Sequence, residues 1–120
     1  MTWIYHQCTG RLSLGDQTIA SGYSGHGEAK NKPEAEQQVG EGPIPRGAWR
    51  IGAPYDSKNV GPYALPLEPV GHDAHGRSAF RIHGDSKSAP GTASHGCIIL
   101  PRAIRERIWK SGDHDLQVLA

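Results

Sequence analysis

The chain has 120 residues, enough for one core and not for two. Thirteen Lys plus Arg against twelve Asp plus Glu leave the charge near zero, which gives no electrostatic footprint for nucleic acid. No run approaches the roughly 20 apolar residues of a membrane span, and the start lacks the basic and apolar regions of a cleavable signal peptide.

Sixteen Gly and nine Pro predict many tight turns and short strands, while three Trp, four Tyr and regular apolar alternation argue against disorder. Trp3 to His6 alternates aromatic and β-branched residues as a first strand. Leu12 and Leu14 alternate again, Gly15-Asp16 turns the chain, and Gln17 to Gly22 returns, giving a meander. Tyr23 to Gly27 is a glycine-rich loop. Glu28 to Gln38 is polar and interrupted by Pro33, so it reads as a solvated loop. Gly40 to Gly47 is a further loop with extended prolines. Ala48 to Ile51 is a strand, and Gly52 to Pro69 reads as a long turn-rich stretch.

Phe80 and Ile82 alternate with Arg81 and His83 in the period of a half-buried strand. Asp85 to Ala93 is a polar loop, and Cys97-Ile98-Ile99-Leu100 reads as the strand beyond it. The one good helix follows. Pro101 suits its first position, Leu100, Ile104 and Ile108 recur at four-residue spacing, and Gly112 is placed to end it. Arg102, Arg105 and Arg107 read as a solvated face or a basic patch. Asp115 to Leu119 closes the chain as a strand. Six to eight strands and one helix make a mostly β fold.

The chemistry concentrates in Ser94-His95-Gly96-Cys97. If the strands ending at His83 and beginning at Cys97 pair antiparallel, the imidazole and thiol lie opposite one another, with Cβ atoms roughly 5 Å apart. A thiol beside a histidine is the arrangement of a nucleophilic cysteine and its base. The alternative is a core histidine and a buried structural cysteine. Gly84 leaves room for a substrate backbone. Gly96 and Cys97 supply adjacent N–H groups suited to an oxyanion; Ser94 can hold the loop; His95 can assist the base or orient the loop. Arg77, Arg81 and Lys87 flank the site and suit a carboxylate, or are simply solvated. His72 and His75 read as loop structure, substrate contact or a chelating pair, although zinc needs three or four converging ligands. Cys8 reads as an unreactive strand-end residue, with a Cys8–Cys97 disulfide as the other possibility.

His83-Gly84, a loop, then Ser94-His95-Gly96-Cys97 and apolar residues resembles the signature of the YkuD-type L,D-transpeptidases. Gly42 to Ile51 is similar to the segment preceding the core strands of that fold. With Gly71 to Ser78 between them, both pieces look like the small L,D-transpeptidase-like toxins delivered by type VI secretion. The resemblance covers Thr2 to Leu119, and departs from many members in having Ile99 where they carry Arg. It implies a YkuD-type β-sandwich with one short helix after the nucleophile strand, forming a single catalytic domain over 1–120. It also implies a Cys97 nucleophile, a His83 base oriented by a nearby backbone carbonyl rather than by Asp85, and no cofactor.

The implied activity is L,D-carboxypeptidase or L,D-transpeptidase exchange on peptidoglycan stem tetrapeptides. Ser94, His95 and Gly96 then complete the catalytic loop, while Gly84, Arg77, Arg81, His72 and His75 contact substrate. The rival readings are a non-catalytic cell-wall binding module and a zinc-dependent peptidoglycan amidase. A monomer made in the cytoplasm without a signal peptide is expected, secreted into the periplasm of target bacteria and matched by an immunity protein, with no nucleic-acid or membrane partner.

Overall fold

The computed structural model describes all 120 residues. Ten strands, three single 3₁₀ turns and one α-helix are present, so the mostly β expectation holds. The strands are β1 (Trp3–His6), β2 (Arg11–Leu14), β3 (Gln17–Ser21), β4 (Tyr23–Ser24), β5 (Gly47–Ile51), β6 (Tyr55–Ser57), β7 (Gly61–Val70), β8 (Arg81–His83), β9 (Ile98–Ile99) and β10 (Asp115–Leu119). They form one mixed sheet in the order β3-β2-β1-β10-β5-β7-β8-β9-β4, with β6 added on β7.

The two chain ends meet, β1 running parallel to β10 with Trp3 opposite Leu116 and Tyr5 opposite Val118. Alternation explains the burial: Trp3, Tyr5, Leu116 and Val118 face inward and their neighbours do not. One contiguous cluster of 16 buried residues draws on β2 near one end of the strand path and on Ile98 of β9 near the other. A sheet whose distant strands share one core has to wrap around it.

Three sequence expectations are corrected here. The stretch Gly52 to Pro69 is not turns but β6 and most of β7, the longest strand. Its prolines are tolerated because the donors they lack are not called upon: the Pro66 carbonyl accepts from Gly52 N–H at 2.8 Å, while Leu67 donates to Phe80 at 2.9 Å. The segment Glu28 to Gln38 is not fully solvated, since Ala29, Ala35 and Glu36 are buried along its 3₁₀ turns. And β8 pairs with β9 in parallel, Ile82 opposite Ile98 and His83 opposite Ile99. A parallel neighbour needs a crossover rather than a hairpin, and residues 84–97 supply it.

The helix α1 (Arg102–Lys110) begins one residue after Pro101, which occupies the cap position with extended backbone. Ile108 is fully buried and Ile104 and Trp109 pack against the core. Gly112, with φ of 78°, adopts the left-handed conformation that ends the helix. No helix is long and apolar enough to cross a membrane.

Candidate active site

Cys97 stands immediately before β9 and is half-buried. Its thiol donates to the Ala79 carbonyl at 3.6 Å, and the Arg81 backbone N–H donates to the sulfur. Burial pushes the thiol above its ordinary 9.0, and the Arg81 N–H together with the Arg81 and Arg77 charges offsets part of that rise. At neutral pH the group is therefore a thiol that needs a base. Cys8 is exposed and both cysteines are free, so no Cys8–Cys97 disulfide is formed.

His83, the last residue of β8, is 3% exposed. Its Nδ1 lies 2.9 Å from the Gly84 carbonyl. A carbonyl only accepts, so Nδ1 carries the proton and Nε2 is the basic nitrogen. Burial lowers the imidazole below its ordinary 6.5, against the bond to Gly84 and with help from the Arg105 and Arg81 charges, so it is neutral at pH 7. The parallel register changes how it meets the thiol. Ile82 stands opposite Ile98 and His83 opposite Ile99, so Cys97, one residue before β9, stands level with Arg81 rather than with His83. The imidazole and thiol are therefore not the directly opposed pair that an antiparallel ladder would have made. Asp85 does not orient the imidazole; its carboxylate accepts from Tyr23 Oη at 2.6 Å and from the Ser86 and Gly91 N–H groups.

The loop holding Cys97 is organised by buried hydroxyls. Ser94 Oγ donates to the Cys97 carbonyl at 2.6 Å and accepts from Gly25 N–H and Gly96 N–H. The Gly96 N–H expected to face an oxyanion is thereby turned to Ser94. Ser24 Oγ donates to the Gly96 carbonyl at 2.9 Å. Gly96 has φ of 141°, and a Cβ there would lie 2.5 Å from Arg77 Nη2, so both conformation and space require glycine. His95 is exposed, donates through Nδ1 to the Gly40 carbonyl at 3.0 Å and stacks on His26 at 4.7 Å.

The flanking residues expected at the substrate are largely engaged with the protein itself. Arg77 is buried, and its guanidinium donates to the carbonyls of Glu36, Pro43, Gly42 and His95, tying the 36–43 loop to the loop that holds Cys97. His72 donates through Nε2 to Ala48 at 2.9 Å and accepts from Ala74 N–H at Nδ1, so both ring nitrogens serve backbone. His75 Nε2 pairs with Glu36 Oε2 at 2.6 Å. The two histidines thus have separate partners, and no three His, Cys, Asp or Glu side chains converge. The room beside Gly84 is taken by Arg105 Nη2, 2.9 Å from where a Cβ would stand. Arg81 is half-buried beside Cys97.

Arg105 and Glu36 are the residues sequence reading missed. Arg105 is not on a solvated face; it is 5% exposed and donates to the carbonyls of Leu100, Pro62 and Tyr63. The available signal was its place three residues before Ile108, on the buried side of the helix. Glu36 accepts from Arg46, Gln7 and His75, and nothing in its local sequence marks it.

The site thus holds a neutral thiol and, on the neighbouring strand, a neutral imidazole with its proton on Nδ1. One cleft of about 340 Å³ is lined by Ala79 and Arg81, the two residues touching the sulfur. Another of about 240 Å³ is lined by His83, Gly84 and Asp85.

The family model for the Tlde1 domain matches residues 18–119. No curated protein matches the chain. The solved structure of Bdellovibrio bacteriovorus Bd1075 resembles it with a TM-score of 0.61 at 13% identity, over 98% of this chain and 47% of that one. The chain therefore spans about half the length of that protein, and at this identity the likeness concerns the fold.

Proposed function

Because the chain belongs to the Tlde1 domain family, that of type VI secreted L,D-transpeptidase-type effectors that modify peptidoglycan, we propose that it is a cysteine enzyme cleaving stem tetrapeptides. His83 Nε2 takes the proton from Cys97 Sγ, and the sulfur attacks the carbonyl of the third stem residue, at its L centre. The C–N bond breaks, His83 returns the proton to the leaving amine, and terminal D-alanine departs. Water or an amine then resolves the thioester, giving L,D-carboxypeptidase or L,D-transpeptidase exchange. The observation that carries this reading is the Nδ1–H bond to Gly84, which leaves Nε2 as the basic nitrogen of a residue on the strand that pairs with the one Cys97 leads into. The wrapped sheet with its shared core supports the YkuD-type sandwich.

In this reading Ser94, Gly96 and Arg77 set the nucleophile loop, His95 lies at its outer edge, and Arg81 supports the thiolate. His72 and His75 act through the loops they hold. The reaction belongs in the periplasm of a target cell, with an immunity protein protecting the producer. The test is mass spectrometry of muropeptides after incubation with the protein. Tetrapeptides should lose or exchange their terminal D-alanine with wild type and stay intact with Cys97→Ala. Turnover retained in that variant refutes the mechanism. Expression in a sensitive bacterium gives a second readout: a secreted form should kill in a Cys97-dependent way and a cytoplasmic form should not. The reverse pattern rules out a cell-wall target.

A further inference from the structure

Arg105 is a buried cation without a counter-ion. Three of its N–H groups are used: Nε donates to Leu100 at 3.1 Å, and Nη1 to Pro62 at 2.8 Å and Tyr63 at 2.9 Å. All three acceptors are neutral carbonyls, and no carboxylate comes within ion-pair distance of it. Its Nη2 donates to nothing in the protein, yet is not among the buried unpartnered atoms, so solvent reaches it. Burying a charge is costly unless an opposite charge meets it.

Arg105 lines an open cleft of about 410 Å³, whose wall also includes Pro62, Gly84, Asp85, Lys87 and Arg102. Lys87 is exposed and pairs with no acid. Arg102, in the first helical turn, pairs through Nε with Glu106 at 3.0 Å, and that turn carries no acidic residue. Lys87 and Arg105 are thus left without an ion pair, and the one carboxylate lining the cleft, Asp85, already accepts from Tyr23, Ser86 and Gly91. The cleft continues past Gly84, Asp85 and Val60 into the smaller one that His83 lines. Its missing partner is an anion.

Resting on the proposed reaction, we infer that this cleft is the subsite for the free α-carboxylate of the residue that leaves. His83 must deliver a proton to the leaving nitrogen. The carboxylate oxygens of an amino acid lie only roughly 3 to 3.5 Å from its own nitrogen, given the N–Cα and Cα–C bond lengths. The cleft that His83 lines shares the wall of Val60, Gly84 and Asp85 with the Arg105 cleft, and the proposal sets the leaving nitrogen at His83 and its carboxylate across that wall, on the Arg105 side. A longer leaving group would carry its terminal carboxylate too far away, and an amidated one would present no charge. The subsite makes the enzyme an exopeptidase that reads the terminal acid rather than an endopeptidase.

Two measurements on the full chain test this. The first compares kcat/KM for a stem tetrapeptide with a free terminal carboxylate and for its carboxamide. Charge-assisted hydrogen bonds of this kind imply a preference of about tenfold or more for the acid. The double variant Lys87→Gln, Arg102→Gln should bring the ratio close to one, while the remote Lys110→Gln should not move it. The second titrates N-acetyl-D-alanine, and separately N-acetyl-D-alaninamide, into the protein by NMR. Only the acid should shift the backbone amides of Gly84, Lys87 and Ala103. Equal turnover of acid and amide, with no selective shift, overturns the subsite and leaves the peptidase reading standing. Selective shifts with neither peptide cleaved keep the subsite and overturn the reaction. No cleavage and no selective shift overturns both.

Discussion

Glu36 offers the sharpest quantitative test of how the loops around Cys97 are held. Burial alone would raise its carboxyl, but hydrogen bonds from His75, Gln7 and Arg46 outweigh it and bring the group from 4.5 down to about 2. At about 1.4 kcal/mol for each tenfold change in proton affinity, that fall corresponds to about 3 kcal/mol of folding free energy at neutral pH. The folded value is depressed, so the contribution is complete above pH 4.5 and is lost as the pH falls towards 2. Glu36→Gln removes the titrating group while keeping its shape and its carbonyl bond to Arg77. Urea denaturation of both proteins at several pH values from 7 to 3 gives the comparison. Wild type should be more stable by about 3 kcal/mol at pH 7, with the gap narrowing steadily below pH 4.5. A gap that stays constant across this range refutes the argument, because it would mean that the carboxylate charge contributes nothing.

The remaining expectations concern the site directly. Cys97→Ala should abolish turnover while the thermal melting point stays close to wild type, whereas Cys8→Ser should leave turnover within a few-fold; a Cys97→Ala protein that unfolds would mark the cysteine as structural. His83→Ala should slow acylation by about 10²–10⁴, measured by thioester formation in a single turnover. Because the imidazole is depressed below 6.5, kcat/KM should rise with pH through a midpoint on the acid side of that value and stay high at pH 7; a midpoint above 6.5 contradicts the buried, neutral base. Ser94→Ala strands the Gly25 and Gly96 N–H groups in a buried site, at a cost of about 2–4 kcal/mol in denaturation experiments, and should lower kcat more than it raises KM.

The sequence alone determined most of the local elements and supplied the residue types on which the proposed chemistry rests. His83, Gly84 and the Ser94 to Cys97 run are close in the chain, and their residue types name a thiol, a base and a tight loop. Strand alternation in Trp3 to His6 and Asp115 to Leu119, and the four-residue stripe ending at Ile108, depend on periods that can be counted along the chain. Tertiary structure decided what depends on contacts between distant segments. The direction in which β9 meets β8 set Cys97 level with Arg81 rather than opposite His83, because a polar loop of that length serves a crossover as well as a hairpin. The fate of each charge was decided in the same way. Arg77 and Arg105 look alike among the surface arginines until the fold sets backbone carbonyls around them, and Glu36 is one polar residue among many until Gln7, Arg46 and His75 arrive from three other segments. Hydrophobic periodicity is local and repeats within a few residues; the partner of a buried charge is a single contact across the fold, and no period announces it.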